Sequence, residues 1–237
     1  MLAAATDRGR KRRKNEDAVL AVALPGGASL LAVADGVGGG RAGEVASVSA
    51  IDGLSVYLAS VSLANPQHAL SMALQAINRD LWERGQSDPN LEGMSTTLVA
   101  AMILGGEAWI ANVGDSRAYL LDGIVISQLT QDHSLVAEQV RRGVISEGEA
   151  RRSPSRNVIT RCLGCDESVD VDVVGPVAML VGSRLLLCSD GLHAVVPEEE
   201  IVGLAQATSP DEATTQLVAA ANARGGPDNI SVAIYEG

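Results

Sequence analysis

Short apolar runs joined by glycine turns are the feature that most restricts how this chain can fold. Runs rich in Val, Leu and Ala on either side of a tight turn are typical of β-hairpins, whose strands pair antiparallel. Three such pairs of runs occur, at residues 18–24 and 29–35, 95–104 and 107–116, and 117–121 and 124–130. The spacing therefore predicts antiparallel sheets built from consecutive strands.

Helical patterns occur in segments of the chain that lie outside these hairpins. Helices are predicted over residues 42–63, from Pro66 to just before Gly85, near 197–207 and near 210–223. Asn65 and Ser209 are the expected N-caps, each followed by a proline at the first helical position. Strands resume at residues 169–174 and 185–190, and a last strand follows Asp228. Because strands and helices occupy separate segments, the predicted fold class is α+β.

Residues 134–157 differ in character from the segments around them. They are polar, rich in arginine and short-helical in pattern, and Ser146 and Glu149 have the spacing of a capping box. We expect this segment to form a small flap inserted between strands. Nothing elsewhere marks a linker, and 237 residues, 46% of them hydrophobic, can bury one large core. Residues 1–237 are therefore interpreted as a single domain.

Net charge and hydropathy limit the binding partners and the cellular location that we expect for this protein. The chain has no run of about 18 consecutive apolar residues and no apolar signal-peptide segment, so we expect a soluble, cytoplasmic protein. A net charge of −11 argues against nucleic acid and anionic membranes as general partners. Six of the 18 basic residues nevertheless crowd into residues 8–14, directly before Glu16 and Asp17, which suits an anion held beside a cation.

The cysteine count indicates free thiols. Cys162, Cys165 and Cys188 are odd in number and lie in a chain without a secretion signal, so we expect them to be reduced. The CLGC segment has the spacing of a redox motif, but it lacks a thioredoxin-like βαβ setting. A zinc site would need more ligands.

Two strand-like runs end in an Asp-Gly pair, at Asp35 and at Asp190. Either pair alone could be a tight turn. A buried carboxylate, however, needs a counter-charge, hydrogen bonds or a metal, and the repetition favours a functional role. Asp17, Asp115 and Asp228 also stand at expected strand ends, so five carboxylates could meet at one edge of the core.

Such a cluster would repel itself unless cations held it. Carboxylate and carbonyl oxygens are the preferred ligands of Mg²⁺ and Mn²⁺, whereas structural zinc sites use Cys and His. The chain has only three histidines, and none has a metal-pair spacing such as H-E-x-x-H. Oxygen ligation of Mg²⁺ or Mn²⁺ is therefore predicted. The glycines after Asp35 lack Cβ atoms, so the backbone there could bend sharply and turn a carbonyl, that of Gly36, toward a cation.

Seven short motifs follow one another over nearly the whole chain. They are R-x-x-x-E-D at Arg12, Glu16 and Asp17, ADGVGG at 34–39, STT at 95–97, VGDSRAYL at 113–120, LTQDHS at 129–134, CSDGL at 188–192 and GPDNIS at 226–231. In order and spacing they resemble the metal-dependent serine/threonine protein phosphatases of type 2C, in their bacterial form. One such motif would be weak evidence, but seven in sequence are highly specific.

The resemblance implies a four-layer α-β-β-α sandwich with two central antiparallel sheets, helices outside and a metal centre at one end. Matched by motif, Asp35 would bridge two Mn²⁺ or Mg²⁺ ions, and Gly36 would give its carbonyl to one of them. Asp190 and Asp228 would ligate the other ion. Asp17 would lie close by, through metal-bound water.

The resemblance also implies a third, weaker ion and an activity. Asp115, with Asp190, matches the acid that holds the third ion in bacterial members, and Arg12 matches the phosphate-binding arginine. Two cations would neutralise the phosphate oxygens and lower the pKa of a bridging water, which attacks phosphorus without a covalent intermediate. The implied substrates are phosphoserine and phosphothreonine proteins, and a monomer that opposes a serine/threonine kinase is expected.

The sequence departs from the family pattern at a few positions. Many bacterial members have DGMGGH, whereas this chain has Val37 and Gly40 in place of the methionine and the histidine. Any substrate-steering or proton-donating role of that histidine is therefore absent. The GTT of many relatives is STT here. We expect His133 to make a structural hydrogen bond rather than to act as a general acid.

Other functions fit the sequence less well. Gly38, Gly40 and Gly43 have the spacing of a dinucleotide-binding loop, but the chain predicts hairpins instead of βαβ units. No cysteine is followed by arginine in a C-x5-R loop. A non-catalytic relative that only binds phosphoproteins would have lost a metal acid, and all five are present.

A covalent aspartyl-phosphate mechanism is a further alternative. Residues 170–174 match the D-x-D-x-V pattern of phosphatases that form such an intermediate. The preceding segment is not an apolar strand, however, and strict alternation predicts a half-buried strand with Asp170 and Asp172 facing water.

Overall fold

A computed structural model describes residues 1–37, 41–207 and 209–237 of the chain. Its strands are β1 (Leu2–Asp7), β2 (Asp17–Ala23), β3 (Ser29–Val37), β4 (Ser95–Thr96), β5 (Leu98–Leu104), β6 (Glu107–Val113), β7 (Arg117–Asp122), β8 (Val125–Gln128), β9 (Asp172–Ala178), β10 (Arg184–Cys188) and β11 (Ile230–Glu236). Its helices are α1 (Arg41–Ser60), α2 (Pro66–Ser87), α3 (Leu135–Arg141), α4 (Glu147–Ala150), α5 (Asp190–His193), α6 (Glu198–Ala207) and α7 (Pro210–Ala223).

The strands form two antiparallel sheets. One has five strands in the order β1-β11-β10-β7-β8, and the other has six, in the order β2-β3-β5-β6-β9 with β4 paired to the end of β3. All three predicted hairpins are present, as β2–β3, β5–β6 and β7–β8. The α+β class is therefore confirmed.

Alternating side chains divide the interior into layers. In β3, Leu30, Ala32 and Ala34 pack in a cluster with α1 and α2, while Leu31 and Val33 pack in the cluster between the two sheets. Residues of β10 and β11 alternate in the same way between that inner cluster and one shared with α5, α6 and α7. Two-residue periodicity thus builds the expected four layers, helices outside two sheets.

Local capping sets the starts of several helices. The side chain of Asn65 accepts a hydrogen bond from the His68 amide, and Pro66 opens α2. Ser209 caps α7 in the same way. The α2 helix continues two residues past Gly85, which was expected to follow it. No helix in the described part of the chain combines the length and the apolar character that crossing a bilayer requires.

The expected flap segment, residues 134–157, lies between β8 and β9. It contains α3 and α4, and Ser146 and Glu149 form the predicted capping box at the start of α4. Of the two helices, α3 buries Val136 and α4 buries no residue. The segment therefore adds little to the core.

Two elements and one covalent bond differ from the expectations. The sequence pattern missed β1, which is a short edge strand without strict alternation, and α5, a single turn that follows Ser189. The expectation of reduced cysteines was wrong for one pair, because Cys162 and Cys165 form a disulfide, while Cys188 is free and buried. An odd count cannot tell two bridged cysteines from three free ones.

Replacing a side chain between the sheets tests the packing. Leu187 is fully buried in the inner cluster, and Leu187→Ala should lower the free energy of unfolding by about 2–5 kcal/mol, because it leaves a cavity. The exposed Val56 of α1 is the control, and Val56→Ala should change that free energy by less than about 0.5 kcal/mol. Urea unfolding followed by circular dichroism measures both, and equal losses would contradict the assigned layers.

Candidate metal centre

Five aspartates come together at one edge of the sandwich. Asp17 begins β2 and stands directly opposite Asp35 in the β2–β3 ladder. Asp190 opens α5 after β10, and Asp228 lies just before β11, the neighbour of β10. Asp115 lies in the turn from β6 to β7. The site therefore draws on both sheets, and the five acids that the sequence placed at strand ends lie near one another.

Asp17 connects the two sheets through a serine. Its Oδ2 accepts a hydrogen bond of 2.8 Å from the hydroxyl of Ser189, which directly precedes α5. The Ser189 hydroxyl in turn accepts from the Ser231 amide of β11 at 3.0 Å. The other carboxylate oxygen of Asp17, Oδ1, is buried and has no partner among the described residues.

The backbone of Asp35 is held by the STT segment. Its amide donates to the Thr97 hydroxyl at 3.1 Å, and its carbonyl accepts from the Thr97 amide and the Thr96 hydroxyl at 2.8 and 2.9 Å. The Thr97 hydroxyl also lies 2.8 Å from that of Ser116, beside Asp115. These contacts fix the main chain of Asp35 without using its carboxylate.

Gly36 is required by close packing and lies within a continuous strand. The strand β3 continues through Gly36 to Val37 because it pairs with β4. A Cβ atom at Gly36 would collide with the Gly43 carbonyl and would lie 2.8 Å from the Glu16 carbonyl oxygen. Gly38, Gly39 and Gly40 lie outside the described residues. The paired strands around them are antiparallel, however, which is unlike a dinucleotide-binding βαβ unit.

Burial and mutual repulsion raise the pKa values of four of these acids. Burial raises the pKa of Asp17 to about 7 and that of Asp190 to about 6, and repulsion from Asp228 adds to both. Burial also raises the pKa of Asp115 to about 7, with Asp190 as its strongest repelling neighbour. For Asp35, burial raises the pKa well above its usual value, and the other four acids raise it further.

These side chains fit divalent cations with oxygen ligands. Besides Asp17 Oδ1, the Oδ1 atom of Asp190 is buried without a partner in the described part of the chain. Buried acceptors without donors are costly and need an explanation such as an ion. No three Asp, Glu, His or Cys side chains among the described residues already surround one point as a finished ligand set. The carboxylate of Asp228 accepts a hydrogen bond from Arg12.

Arg12 lies at the mouth of the acidic cluster. Its Nη2 donates to Asp228 Oδ2 at 2.7 Å, and both side chains are partly exposed. This hydrogen bond, followed by the negative charges of Asp228, Asp35 and Glu16, raises the pKa of Arg12 against the effect of burial. A planar guanidinium at this place can bind phosphate oxygens with two donors.

The sequence did not reveal the part played by Asn229. Its side-chain amide donates to the carbonyls of Arg8 and Lys14, both at 2.8 Å, and its Oδ1 accepts from the Glu16 amide at 2.8 Å. Asn229 therefore fastens the segment that carries Arg12 next to Asp228. The GPDN motif contained this asparagine, but only the fold shows what it holds.

His133 is a structural residue in this geometry. Its Nδ1 accepts from the Gly114 amide at 3.0 Å, so Nε2 carries the proton and donates to Asp172 Oδ2 at 3.1 Å. Burial lowers the pKa of His133. Arg161 also donates to Asp172, at 2.7 Å, so the Asp172 side chain faces water in part, as expected, and also makes ion pairs that the sequence pattern did not reveal.

Two further contacts support Asp115 and its turn. The half-buried His193 of α5 donates from Nε2 to the Asp115 carbonyl at 3.1 Å, and loss of solvent around the ring lowers its pKa to about 3, so it stays neutral. Arg117 donates two hydrogen bonds to the Asp132 carboxylate, at 2.9 and 2.7 Å. These bonds connect the VGDSRAYL motif to the LTQDHS motif. The sequence offered the motifs but not these pairings.

Comparison with known proteins agrees with this geometry. The protein phosphatase 2C family model matches residues 6–224. The Listeria monocytogenes serine/threonine phosphatase stp is 40% identical over 236 residues, 98% of this chain and 93% of its own length. The solved S. agalactiae serine/threonine phosphatase has a TM-score of 0.93 and 34% identity, and the match covers 100% of this chain and 99% of that one. The catalytic domain of the phosphatase PstP, solved with 2 manganese ions, has a TM-score of 0.87 and 35% identity, with 100% and 97% covered.

The fold, the acidic site and these relatives define the class of the enzyme, a protein-serine/threonine phosphatase. The chain belongs to the protein phosphatase 2C family, whose members are metal-dependent.

The raised pKa of Asp17 predicts how the metal-free protein responds to pH. The folded value of about 7 exceeds the ordinary 3.8, so in EDTA the folded state loses stability as pH rises from about 4 to about 7. Asp17→Asn resembles the neutral acid and escapes this loss. The melting temperature of Asp17→Asn minus that of the wild type should therefore increase between about pH 4 and about pH 7 and should stay constant above that range. A difference that is constant with pH would contradict the assignment.

Proposed function

We propose that the protein hydrolyses phosphoserine and phosphothreonine on proteins with a metal-activated water and without a covalent intermediate. The observation that carries the proposal is a pair of buried oxygens, on Asp17 and Asp190, that have no hydrogen-bond partner among the described residues and lie beside the exposed guanidinium of Arg12. No cysteine or serine nucleophile is needed for such a reaction.

The proposed ligands are those that the motifs assign. Asp35 would lie between two Mn²⁺ or Mg²⁺ ions, with the Gly36 carbonyl on one and Asp190 and Asp228 on the other. Asp17 would act through water. The relative solved with 2 manganese ions supports a pair of core ions, and the raised pKa values of the acids support a site that gains from added positive charge.

Bound cations would supply charge neutralisation for the phosphate and an acidified water. The chain itself supplies orientation. Arg12 would hold the phosphate oxygens through two donors, the Thr96 and Thr97 contacts keep Asp35 in place, and Ser189 orients Asp17. His133 is occupied by Gly114 and Asp172, which argues against a general-acid role.

Phosphoproteins are the proposed partners. Because the reaction consumes phosphoserine and phosphothreonine, a serine/threonine kinase must supply the substrate, and we propose that the enzyme opposes one in the cytoplasm. The net charge of −11 supports protein substrates over nucleic acid. We also propose that residues 1–237 act as one monomeric catalytic domain.

Metal dependence tests the mechanism directly. Hydrolysis of p-nitrophenyl phosphate and of phosphothreonine peptides should require Mn²⁺ or Mg²⁺ and should stop in EDTA. Asp190→Asn should lose at least about a hundredfold in kcat, because it removes a ligand shared by the centre. Asp170→Asn, at an exposed position in the loop before β9, is the matched control and should keep activity. Full activity in EDTA would rule out the mechanism.

Arg12 should contribute mainly to substrate binding. Arg12→Ala removes a charge-assisted contact with phosphate worth about 1.5–3 kcal/mol, so KM should rise roughly 10- to 100-fold with a smaller change in kcat. Arg12→Lys keeps the positive charge but lacks the two parallel donors of a guanidinium, so its KM should lie between those of the wild type and Arg12→Ala. Steady-state kinetics on p-nitrophenyl phosphate measures the changes in KM and kcat separately. A loss confined to kcat would assign Arg12 a different role.

Asp115 is proposed to hold the third, weaker ion with Asp190, close to the flap. Asp115→Ala should still bind two Mn²⁺ ions in a calorimetric titration, fold normally and turn over phosphopeptides at least about tenfold more slowly at saturating Mn²⁺. Loss of all Mn²⁺ binding would place Asp115 in the core pair, and unchanged turnover would remove its proposed role.

A further inference from the structure

The segment of residues 8–14, called the basic loop below, concentrates positive charge at the edge of the site. It carries six of the 18 basic residues of a chain whose net charge is −11. Arg8 and residues 10–14 are all exposed. The loop connects β1 of the five-stranded sheet to β2 of the six-stranded sheet, so the topology places it where the two sheets meet.

The basic loop is held firmly against the Asp228 segment. The amides of Arg10 and Lys11 donate to the Gly226 carbonyl at 2.8 and 3.2 Å. Asn229 binds the carbonyls at both ends of the loop, as described above. Gly9 has a φ of +76° and lies so close to the Asp228 carbonyl that a Cβ atom would collide with it. The backbone of the basic loop therefore has a fixed place beside Asp228.

The loop contains more positive charge than its neighbours neutralise. Arg12 pairs with Asp228 at 2.7 Å and Lys14 with Glu44 at 3.1 Å. Among the described residues, no carboxylate lies within ion-pair distance of Lys11 or Arg13.

Arg8 and Arg10 are compensated in part. Both lie near enough to Asp7 to lower the pKa of its carboxyl, after the larger effects of hydrogen bonds from Asn222 and Gly9. The guanidinium of Arg8 also donates to the Arg13 carbonyl at 3.5 Å. Arg10 makes no ion pair in the described part of the chain. Lys11 and Arg13, with Arg10, are therefore available to an incoming anion.

We propose that the basic loop binds negatively charged side chains next to the phosphoresidue, so that the preferred substrates are phosphoprotein segments with neighbouring Asp, Glu or further phosphorylated residues. The inference rests on the proposed function, because it assigns the substrate class to the same site. Arg12 would take the phosphate itself, while Lys11, Arg13 and Arg10 would contact the flanking charges of an extended segment.

Two observations favour a short acidic segment over a long polyanion. The chain as a whole is strongly negative and would repel nucleic acid or an anionic membrane at a distance. The loop also borders the buried carboxylates, whose negative charges act on Arg12. Attraction is therefore local, and it reaches only groups that the bound phosphoresidue brings near.

The experiment uses the full chain with Mn²⁺ and two phosphothreonine peptides that differ only in their flanking residues, Glu in one and Gln in the other. At low salt the wild type should have a kcat/KM for the Glu peptide at least about fivefold above that for the Gln peptide, and the ratio should decrease toward one as salt is added.

Charge reversals locate the effect. Lys11→Glu and Arg13→Glu should each reduce the preference for the Glu peptide about three- to tenfold, mainly through KM. Arg79→Glu, on an exposed position of α2, changes the net charge equally and should leave the preference unchanged. Activity on p-nitrophenyl phosphate, which has no flanking charge, should stay within about twofold in all three variants.

The outcomes separate the two proposals. No hydrolysis of p-nitrophenyl phosphate by the wild type in Mn²⁺ would overturn the proposed function. Hydrolysis without a preference for the Glu peptide, or equal losses in Arg79→Glu, would overturn the inference alone. If the loop reversals instead weakened binding of a fluorescent single-stranded DNA or of anionic phospholipid vesicles and left the peptide ratio unchanged, the basic loop would be a polyanion surface and the inference would also be wrong.

Discussion

Mutual repulsion among buried carboxylates is the constraint on which this structure depends. Asp17 and Asp35 face each other across one ladder, and Asp190, Asp115 and Asp228 approach from separate turns. Burial and repulsion both raise the pKa values of Asp17, Asp35, Asp115 and Asp190 and so oppose the ionisation of these four acids. An arrangement of this kind costs folding stability, and strongly perturbed groups that share a cleft are characteristic of functional sites. The hydrogen bonds around the site therefore position the acids more than they neutralise them.

The two-sheet architecture brings these acids together from distant parts of the chain. Each sheet contributes strands whose ends meet at the same edge, and side chains such as Asn229 and Ser189 cross from one sheet to the other. Because antiparallel strands are rigid and their register is fixed by the alternation of buried residues, small polar groups at the strand ends have defined positions. The facing positions of Asp17 and Asp35 are therefore a consequence of register.

The sequence predicted the parts of this structure that depend on local pattern. Hairpins, helix caps and the Ser146–Glu149 capping box follow from short spacings, and the acids at strand ends follow from motifs. The pattern could not show which residues meet across the fold. The contacts of Asn229 with the basic loop join residues more than 200 positions apart, and the Cys162–Cys165 bridge depends on how the backbone turns between them.

The separation of charge along the chain has a physical consequence for recognition. A net charge of −11 produces a repulsive field for anions, while the basic loop is attractive only at short range. At physiological ionic strength, exposed charges more than about 8 Å apart interact weakly, so the loop does not collect polyanions from solution. With Arg12 in its proposed role, the loop would act on a segment whose phosphate is already bound there. Because Gly226 and Asn229 hold the loop backbone in place, the loop backbone loses little conformational entropy when such a segment binds. Local charge on a fixed loop thus adds discrimination between phosphoproteins without making the surface generally adhesive.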